Sequence, residues 1–156
     1  MRKIWVLGLI VSGCFPVVVS SQSKSVTDTG HRNSFEYFVA PVSPKNPRNS
    51  EAAIIHLKDG SLLLGWTEFY AGSGEDHGPA RLSGKISNDG GRTWNKKYTL
   101  VENDGGRNVM EVNFLRLMNG NIALFYCQKN TESTDCRVMM RTSADEGKTW
   151  RDAKQL

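Results

Sequence analysis

The charged side chains that could bind or transform a ligand fall in a few short segments of the sequence. The planar guanidinium of Arg48 is suited to a bidentate grip on a carboxylate. Asp76 and His77 are adjacent in a glycine-rich stretch. An imidazole that titrates near neutrality suits proton transfer, although a histidine in such a loop is more often simply exposed. The candidates in these segments are Arg48, Glu51, Asp76, His77, Arg81, Asn108 and Arg137, besides Arg107, Lys129 and Asp135.

Two common patterns for cofactors and metals are not met. The stretch from Gly72 to Gly78 lacks the Lys-Ser/Thr ending and the following helix of a phosphate-binding loop. His31, His56 and His77 are scattered along the chain, without the spacing of a zinc site. We therefore predict no cofactor and no metal.

The sequence that must position the candidates contains a duplication. Residues 87–94 and 143–150 both read S-x-D-x-G-[KR]-T-W, and residues 51–60 align with residues 111–120. A period in the high fifties is typical of a propeller. In such a box the Asp carboxylate can accept turn N–H groups, the Gly supplies a positive φ and the Trp buries apolar surface. We assign this structural role to Ser87, Asp89, Gly91, Thr93, Trp94, Ser143, Asp145, Gly147, Thr149 and Trp150.

Each copy predicts four antiparallel strands. In the first copy, apolar runs over residues 52–57 and 61–68 flank a strong Asp59-Gly60 turn. The box then joins strands predicted over residues 81–87 and 95–101. The second copy predicts strands over residues 112–117, 121–127 and 137–143, an Asn119-Gly120 turn and a fourth strand at the end of the sequence.

The alternation of strands separates the boxes from the candidate residues. In an up-and-down four-stranded sheet, the first and third connections lie at one end and the second connection lies at the other. Both boxes and both glycine turns therefore share one face. The candidate residues share the opposite face, where we expect any chemistry to be.

The boxes, the apolar strands and the turns together resemble the sialidase superfamily of six-bladed β-propellers, over residues 46–156. Residues 46–51, 72–77 and 103–110 are further similar to a bacterial sialidase-like branch of exo-sialidases and BNR-repeat proteins. The resemblance implies an all-β fold with two four-stranded blades of six, at about residues 46–101 and 106–156. The chain would then be an N-terminal portion of the propeller.

The resemblance also implies site roles. In sialidases an arginine just before the first strand opens a three-arginine cluster that grips the substrate carboxylate, and Arg48 matches it. The acid/base aspartate follows in the first long loop, where Asp76 is the nearest match and His77 is the alternative. Hydrolysis would be retaining, through a tyrosine that falls, with the later arginines, outside this sequence. The substrate-binding set is Arg48, Glu51, Arg81, Asn108 and Arg137.

The sequence departs from the sialidase pattern in two places. Arg48-Asn49-Ser50 replaces the usual Arg-Ile-Pro, and Glu68 stands where a second arginine is expected. Another acidic sugar is therefore an alternative substrate. Glu51 and Glu111 hold equivalent positions, which suggests a shared role in strand entry.

Three functions remain open. The first is an exo-sialidase-like glycoside hydrolase that removes terminal sialic acid, or a related acidic sugar, from glycans; this portion alone would lack the complete site and be inactive. The second is a non-catalytic Asp-box propeller that binds carbohydrate or protein, because such propellers exist. The third is a truncated gene product without function.

The N-terminal residues predict export. Arg2 and Lys3 precede an apolar run that is too short and interrupted for a membrane span, so residues 1–20 resemble a signal peptide and residues 21–45 an extension. The protein would be periplasmic or extracellular. Residues 11–14 also resemble a lipobox, which gives a lipid anchor at Cys14 as the less favoured alternative.

Residues 35–39 could form a strand that closes the last blade.

The charge indicates which classes of molecule could bind, and the cysteines indicate whether a disulfide could form. The formal net charge of +4 decreases when Arg2 and Lys3 are removed, and the charges are evenly spread, so we expect no nucleic-acid partner. An acidic glycan is the partner that the resemblance to sialidases implies. Cys127 and Cys136 could pair across adjacent strands or stay free, depending on strand register.

Two blades alone would leave apolar surface exposed, so we expect the isolated chain to aggregate or fold poorly.

Overall fold

A computed structural model describes residues 35–72 and 74–156, which form two four-stranded antiparallel sheets. The strands of each sheet follow one another in chain order. The first sheet contains β1 (Arg48–His56), β2 (Leu62–Phe69), β3 (Ala80–Ser87) and β4 (Tyr98–Val101). The second contains β5 (Asn108–Arg116), β6 (Ile122–Lys129), β7 (Cys136–Ser143) and β8 (Lys154–Gln155). No helix in the described part of the chain is long and apolar enough to cross a membrane.

The predicted all-β architecture, with four strands in each copy, is confirmed. The first strand of each copy starts earlier than the apolar run suggested, at Arg48 and at Asn108. In both strands a β-bulge follows the first three residues, between Ser50 and Ala53 in β1 and between Met110 and Asn113 in β5. Residues 35–39 do not form a strand within this chain, and their pairing with the last blade stays a prediction. Lys85 Nζ instead donates to the Val39 carbonyl at 2.7 Å, which attaches that segment to the first sheet.

Both predicted boxes close in the same way. Asp89 Oδ1 accepts the Thr93 N–H at 2.8 Å, and Asp89 Oδ2 accepts the Thr93 hydroxyl at 2.6 Å. The Ser87 hydroxyl accepts the Gly91 N–H at 2.8 Å. The corresponding three distances in the second box are 2.9, 2.5 and 2.8 Å. These hydrogen bonds satisfy the N–H and hydroxyl groups of the turn, so the box aspartates have a structural role and are not available as catalytic acids.

The box aspartates predict loss of stability in acid. Hydrogen bonds from the threonine hydroxyl and N–H lower the pKa of Asp89, and likewise of Asp145, from an ordinary value of 3.8 to about 2. A folded-state pKa below the unfolded value contributes stability that is present above the unfolded pKa and lost as pH falls through the folded pKa. We expect the urea midpoint to fall as pH drops from about 4 towards 2. The Asp89→Asn variant should show a weaker decrease; an equal decrease would contradict this assignment.

The core lies between the two sheets. Leu63 and Leu82 of the first sheet are fully buried, as are Ile122 and Leu124 of the second. Gly65 allows the close approach: a Cβ there would lie 2.8 Å from Phe114 Cζ and 2.9 Å from Leu100 Cδ1 and from Val112 Cγ1. The glycine is therefore required by packing between the sheets rather than by backbone torsion.

An ion-pair group links the sheets at the box end. Arg116 Nη1 donates to Glu146 Oε1 at 2.6 Å, and Arg116 Nη2 donates to the His56 carbonyl at 2.8 Å. The Lys58 N–H donates to Glu146 Oε2 at 3.0 Å. The Arg116 hydrogen bond is the main cause that lowers the pKa of Glu146 to about 2.

The second sheet has apolar residues on its outward side. Leu115 is 52% exposed and Val138 is 49% exposed. The Val138–Cys127 pair of the second sheet corresponds to the Leu82–Thr67 pair of the first sheet. Leu82 is fully buried, so the same position is covered in the first sheet and half exposed in the second. The expectation that this chain aggregates in isolation stays a prediction; sharp, cooperative melting of a monodisperse monomer would contradict it.

Candidate functional site

The candidate site lies where β1 begins and β2 ends. Arg48, the first residue of β1, pairs with Phe69, the last residue of β2. The β2–β3 connection that carries Asp76 leaves from this same end. The first box lies at the other end of the sheet, where Ser87 pairs with Leu62. The predicted separation of the boxes from the charged loops is therefore confirmed.

Arg48 is the centre of the site. Its Nη1 donates to Asp76 Oδ1 at 2.5 Å, and its Nη2 donates to Glu51 Oε1 at 2.8 Å. The guanidinium lies over the Phe69 ring, 4.6 Å from its centroid, and its Nε donates to the Ser50 hydroxyl at 3.1 Å. The side chain of Arg48 is still 32% exposed and that of Asp76 is 62% exposed. The cluster is thus preformed and open to solvent.

The Arg48–Asp76 contact sets the protonation of both groups. The hydrogen bond from Arg48 is the main cause that lowers the pKa of Asp76, and the same bond raises the pKa of Arg48. Asp76 is therefore ionised at neutral pH in this arrangement. Its pKa must rise above the ordinary value of an aspartate before it has a proton to donate at neutral pH.

The two equivalent glutamates adopt an unusual backbone conformation. Glu51 has φ of 46° and Glu111 has φ of 66°, and both lie within the β-bulges that interrupt β1 and β5. A positive φ is uncommon for a residue other than glycine and occurs at functional sites as well as at bulges. The Glu111 N–H donates to the Thr67 hydroxyl at 3.0 Å. The two glutamates therefore share a structural role, but at a bulge within each strand rather than at strand entry as the sequence suggested.

A small cavity lies beside Asp76. It has a volume of about 290 Å³, and Glu111, Cys127 and Lys129 contribute to its wall. His77 is close by, with its Nε2 3.9 Å from Glu132 Oε1. No group of three His, Cys, Asp or Glu side chains suited to a metal ion occurs in residues 35–72 and 74–156.

Two predicted arginines have carboxylate partners of their own. Arg81 Nε donates to Glu68 Oε2 at 2.9 Å, and Arg137 Nε donates to Asp135 Oδ1 at 2.7 Å. Arg81 pairs with Glu68, while Arg48 pairs with the adjacent residue Phe69, so the two arginines project from opposite faces of the sheet. The substrate-binding role predicted for Arg81 and Arg137 stays a prediction.

Glu68, which departs from the sialidase pattern, is a buried structural group. It is 2% exposed and contacts Arg81, Lys97 and the Ser83 hydroxyl. Burial by itself would raise the pKa of Glu68, but the hydrogen bonds from Lys97, Ser83 and Arg81 outweigh it and lower the pKa. Arg81 and Ser83 lie two residues apart on one face of β3, whereas Lys97 comes from the β3–β4 connection. Strand register, which residue types alone do not fix, brings the three to Glu68.

Cys127 and Cys136 are free thiols that both border the cavity. Cys127 Sγ donates to Glu111 Oε2 at 3.2 Å, and burial is the main cause that raises its pKa to about 12. Only the thiolate is strongly nucleophilic. We therefore expect an alkylating reagent at pH 8 to label exposed Cys136 much faster than Cys127, as read by peptide mass spectrometry. Equal labelling rates would contradict this, and Cys136→Ser is the control.

Comparison with solved structures supports the fold. No protein-family model and no curated protein sequence matches the chain. The solved structure of Hadza microbial sialidase Hz136 matches with a TM-score of 0.61 at 15% identity, over 71% of this chain and 26% of that one. A protein of unknown function from Dyadobacter fermentans DSM 18053 matches with a TM-score of 0.59 at 16% identity, over 71% and 36%. The chain thus spans about a quarter to a third of these neighbours and has a sialidase-like all-β fold.

Proposed function

We propose that this chain forms the first two blades of a sialidase-type propeller, in an exported glycoside hydrolase that removes terminal sialic acid or a related acidic sugar. The observation that carries the proposal is the contact of Arg48 with Asp76 at the rim opposite the boxes. An exposed guanidinium beside an exposed carboxylate offers a grip for an anionic sugar and a group for proton transfer. The fold shared with a protein named a sialidase supports this choice.

Substrate binding would change the protonation of Asp76. A substrate carboxylate that docks on Arg48 competes with Asp76 for the same guanidinium. Asp76 then loses the hydrogen bond that lowers its pKa and gains a like charge nearby, and both changes raise its pKa. Asp76 could take up a proton and pass it to the leaving glycosidic oxygen. In this proposal the nucleophile comes from sequence outside this chain.

The test is turnover by the complete protein that contains this chain. We expect it to hydrolyse a fluorogenic sialoside and to release the sugar with retained anomeric configuration, as followed by proton NMR. A neutral glucoside with the same leaving group is the control and should not be cleaved. The absence of turnover for a panel of acidic glycosides would overturn the proposed hydrolase.

A non-catalytic function is the second candidate, and one observation favours it. The Arg48 guanidinium is already engaged by two carboxylates, from Glu51 and Asp76, so an anionic ligand must displace one of them. Asp76 held by Arg48 has a lowered pKa and carries no proton, which suits a function that needs binding but no proton transfer. Such a function predicts measurable binding of an acidic glycan without any turnover.

Export belongs to the same proposal. The signal peptide over residues 1–20 and the alternative lipid anchor at Cys14 lie outside the described residues. We propose a periplasmic or extracellular location on the basis of the sequence. The N-terminus of the mature protein, determined by mass spectrometry, distinguishes cleavage near Ser20 from cleavage before a lipidated Cys14.

A further inference from the structure

The loop that carries Asp76 and His77 is held from both sheets. Within the first sheet, Arg48 Nη1 donates to the Gly74 carbonyl at 3.3 Å as well as to the Asp76 carboxylate. From the second sheet, Asn108 Nδ2 donates to the Asp76 carbonyl at 3.0 Å and to the Gly78 carbonyl at 2.9 Å. One amide group therefore fixes the main chain on both sides of His77.

Asn108 is more deeply buried than Arg48, the principal candidate for ligand binding. Its side chain is fully buried, at 0% exposure, whereas the Arg48 side chain is 32% exposed. Its two donor hydrogens are both used by loop carbonyls. Asn108 therefore contacts the substrate site only through the loop, which differs from the direct substrate-binding role predicted from the sequence.

The repeat explains why a neutral amide occupies this position. Asn108 pairs with Lys129 at the start of β5, as Arg48 pairs with Phe69 at the start of β1. In the first sheet this position carries a cation that is partly exposed. In the second sheet the same position lies beneath the preceding sheet's loop, where two carbonyl oxygens require two donors.

We propose that Asn108 is a positioning residue, which holds the Asp76–His77 segment from the second sheet so that the Asp76 carboxylate meets Arg48. The inference rests on the proposed function for its effect on catalysis. The clamp itself rests on the geometry alone. Because catalysis is sensitive to displacements of about 1 Å, loosening the loop should slow the chemical step more than it weakens substrate binding.

The experiment uses the complete protein with Asn108→Ala and with Asn108→Leu, which keeps a similar volume but cannot donate. We expect kcat to fall about 10- to 100-fold with KM changed less than about threefold. Amide hydrogen exchange across residues 74–78 should accelerate in both variants while the melting temperature shows that they are folded. Asn103→Ala is the control, because its amide donates to the Arg107 carbonyl and, at 3.4 Å, to the Tyr70 hydroxyl, but to no carbonyl of residues 74–78.

The outcomes separate the inference from the proposed function. An active wild type with unchanged kcat in both variants would overturn the positioning role and leave the hydrolase standing. An inactive wild type would overturn the hydrolase, and hydrogen exchange would then decide the clamp by itself. Loop amides that stay equally protected without the Asn108 donors would overturn the inference in either case.

Discussion

Replacing Arg48 by alanine in the complete protein should reduce kcat/KM for a sialoside by about 100- to 10,000-fold. The substrate carboxylate would lose two charge-assisted hydrogen bonds, each contributing roughly 1.5–3 kcal/mol. Asp76 and Glu51 would also be left without the cation between them, which adds repulsion against an anionic substrate. The measurement is steady-state turnover of a fluorogenic sialoside.

Two further variants test whether the loss of turnover is specific to the guanidinium of Arg48. Arg48→Lys keeps the charge but not the planar fork, so we expect an intermediate loss. Arg92→Ala removes the exposed arginine of the first box, which lies over the Phe35 ring at the end of the sheet opposite the site, and it should leave turnover within about twofold of the wild type. Full activity in Arg48→Ala would show that this guanidinium does not hold the substrate.

Replacing Gly65 should produce the largest loss of stability. An added Cβ meets atoms of Phe114, Leu100 and Val112 at distances of 2.8–2.9 Å, which ordinary side chains do not tolerate. We expect Gly65→Ala to lower the free energy of unfolding by about 1–3 kcal/mol and Gly65→Val by more, since a filled interface must separate to accept the new group. Urea denaturation of the complete protein measures both values.

An exposed apolar residue supplies a control for Gly65. Met118, in the turn between β5 and β6, is fully exposed. Met118→Ala removes no packing between the sheets and should change stability by less than about 0.5 kcal/mol. A Gly65→Ala protein as stable as the wild type would contradict the close packing between the sheets.

The sequence was sufficient to predict the two four-stranded sheets because each local signal agreed with the others. The boxes and the glycine turns mark the chain reversals at one end. Apolar runs between them mark the strands, so strand order followed directly. The early starts of β1 and β5 were missed because Arg48 and Asn108 are polar and stand before a bulge. Periodicity does not extend across a bulge.

The sequence predicted the location of the site better than the contacts within it. The alternation of strands brought Arg48 and Asp76 to one rim, and the structure places them in direct contact. Burial of Asn108 beneath the Asp76 loop depends on how the second sheet packs against the first. Such contacts between repeats depend on tertiary structure, so neither the spacing nor the residue types could distinguish a loop clamp from a ligand contact.

The account is tested most directly by comparing the affinity of the complete protein for free sialic acid with that for its methyl ester. Both ligands have the same sugar ring, and only the acid presents a carboxylate to Arg48. By calorimetry, we predict that the wild type binds the acid at least about tenfold more tightly and that Arg48→Ala abolishes this preference. Equal affinities of the wild type for the two ligands would contradict the central claim that Arg48 recognises an anionic sugar.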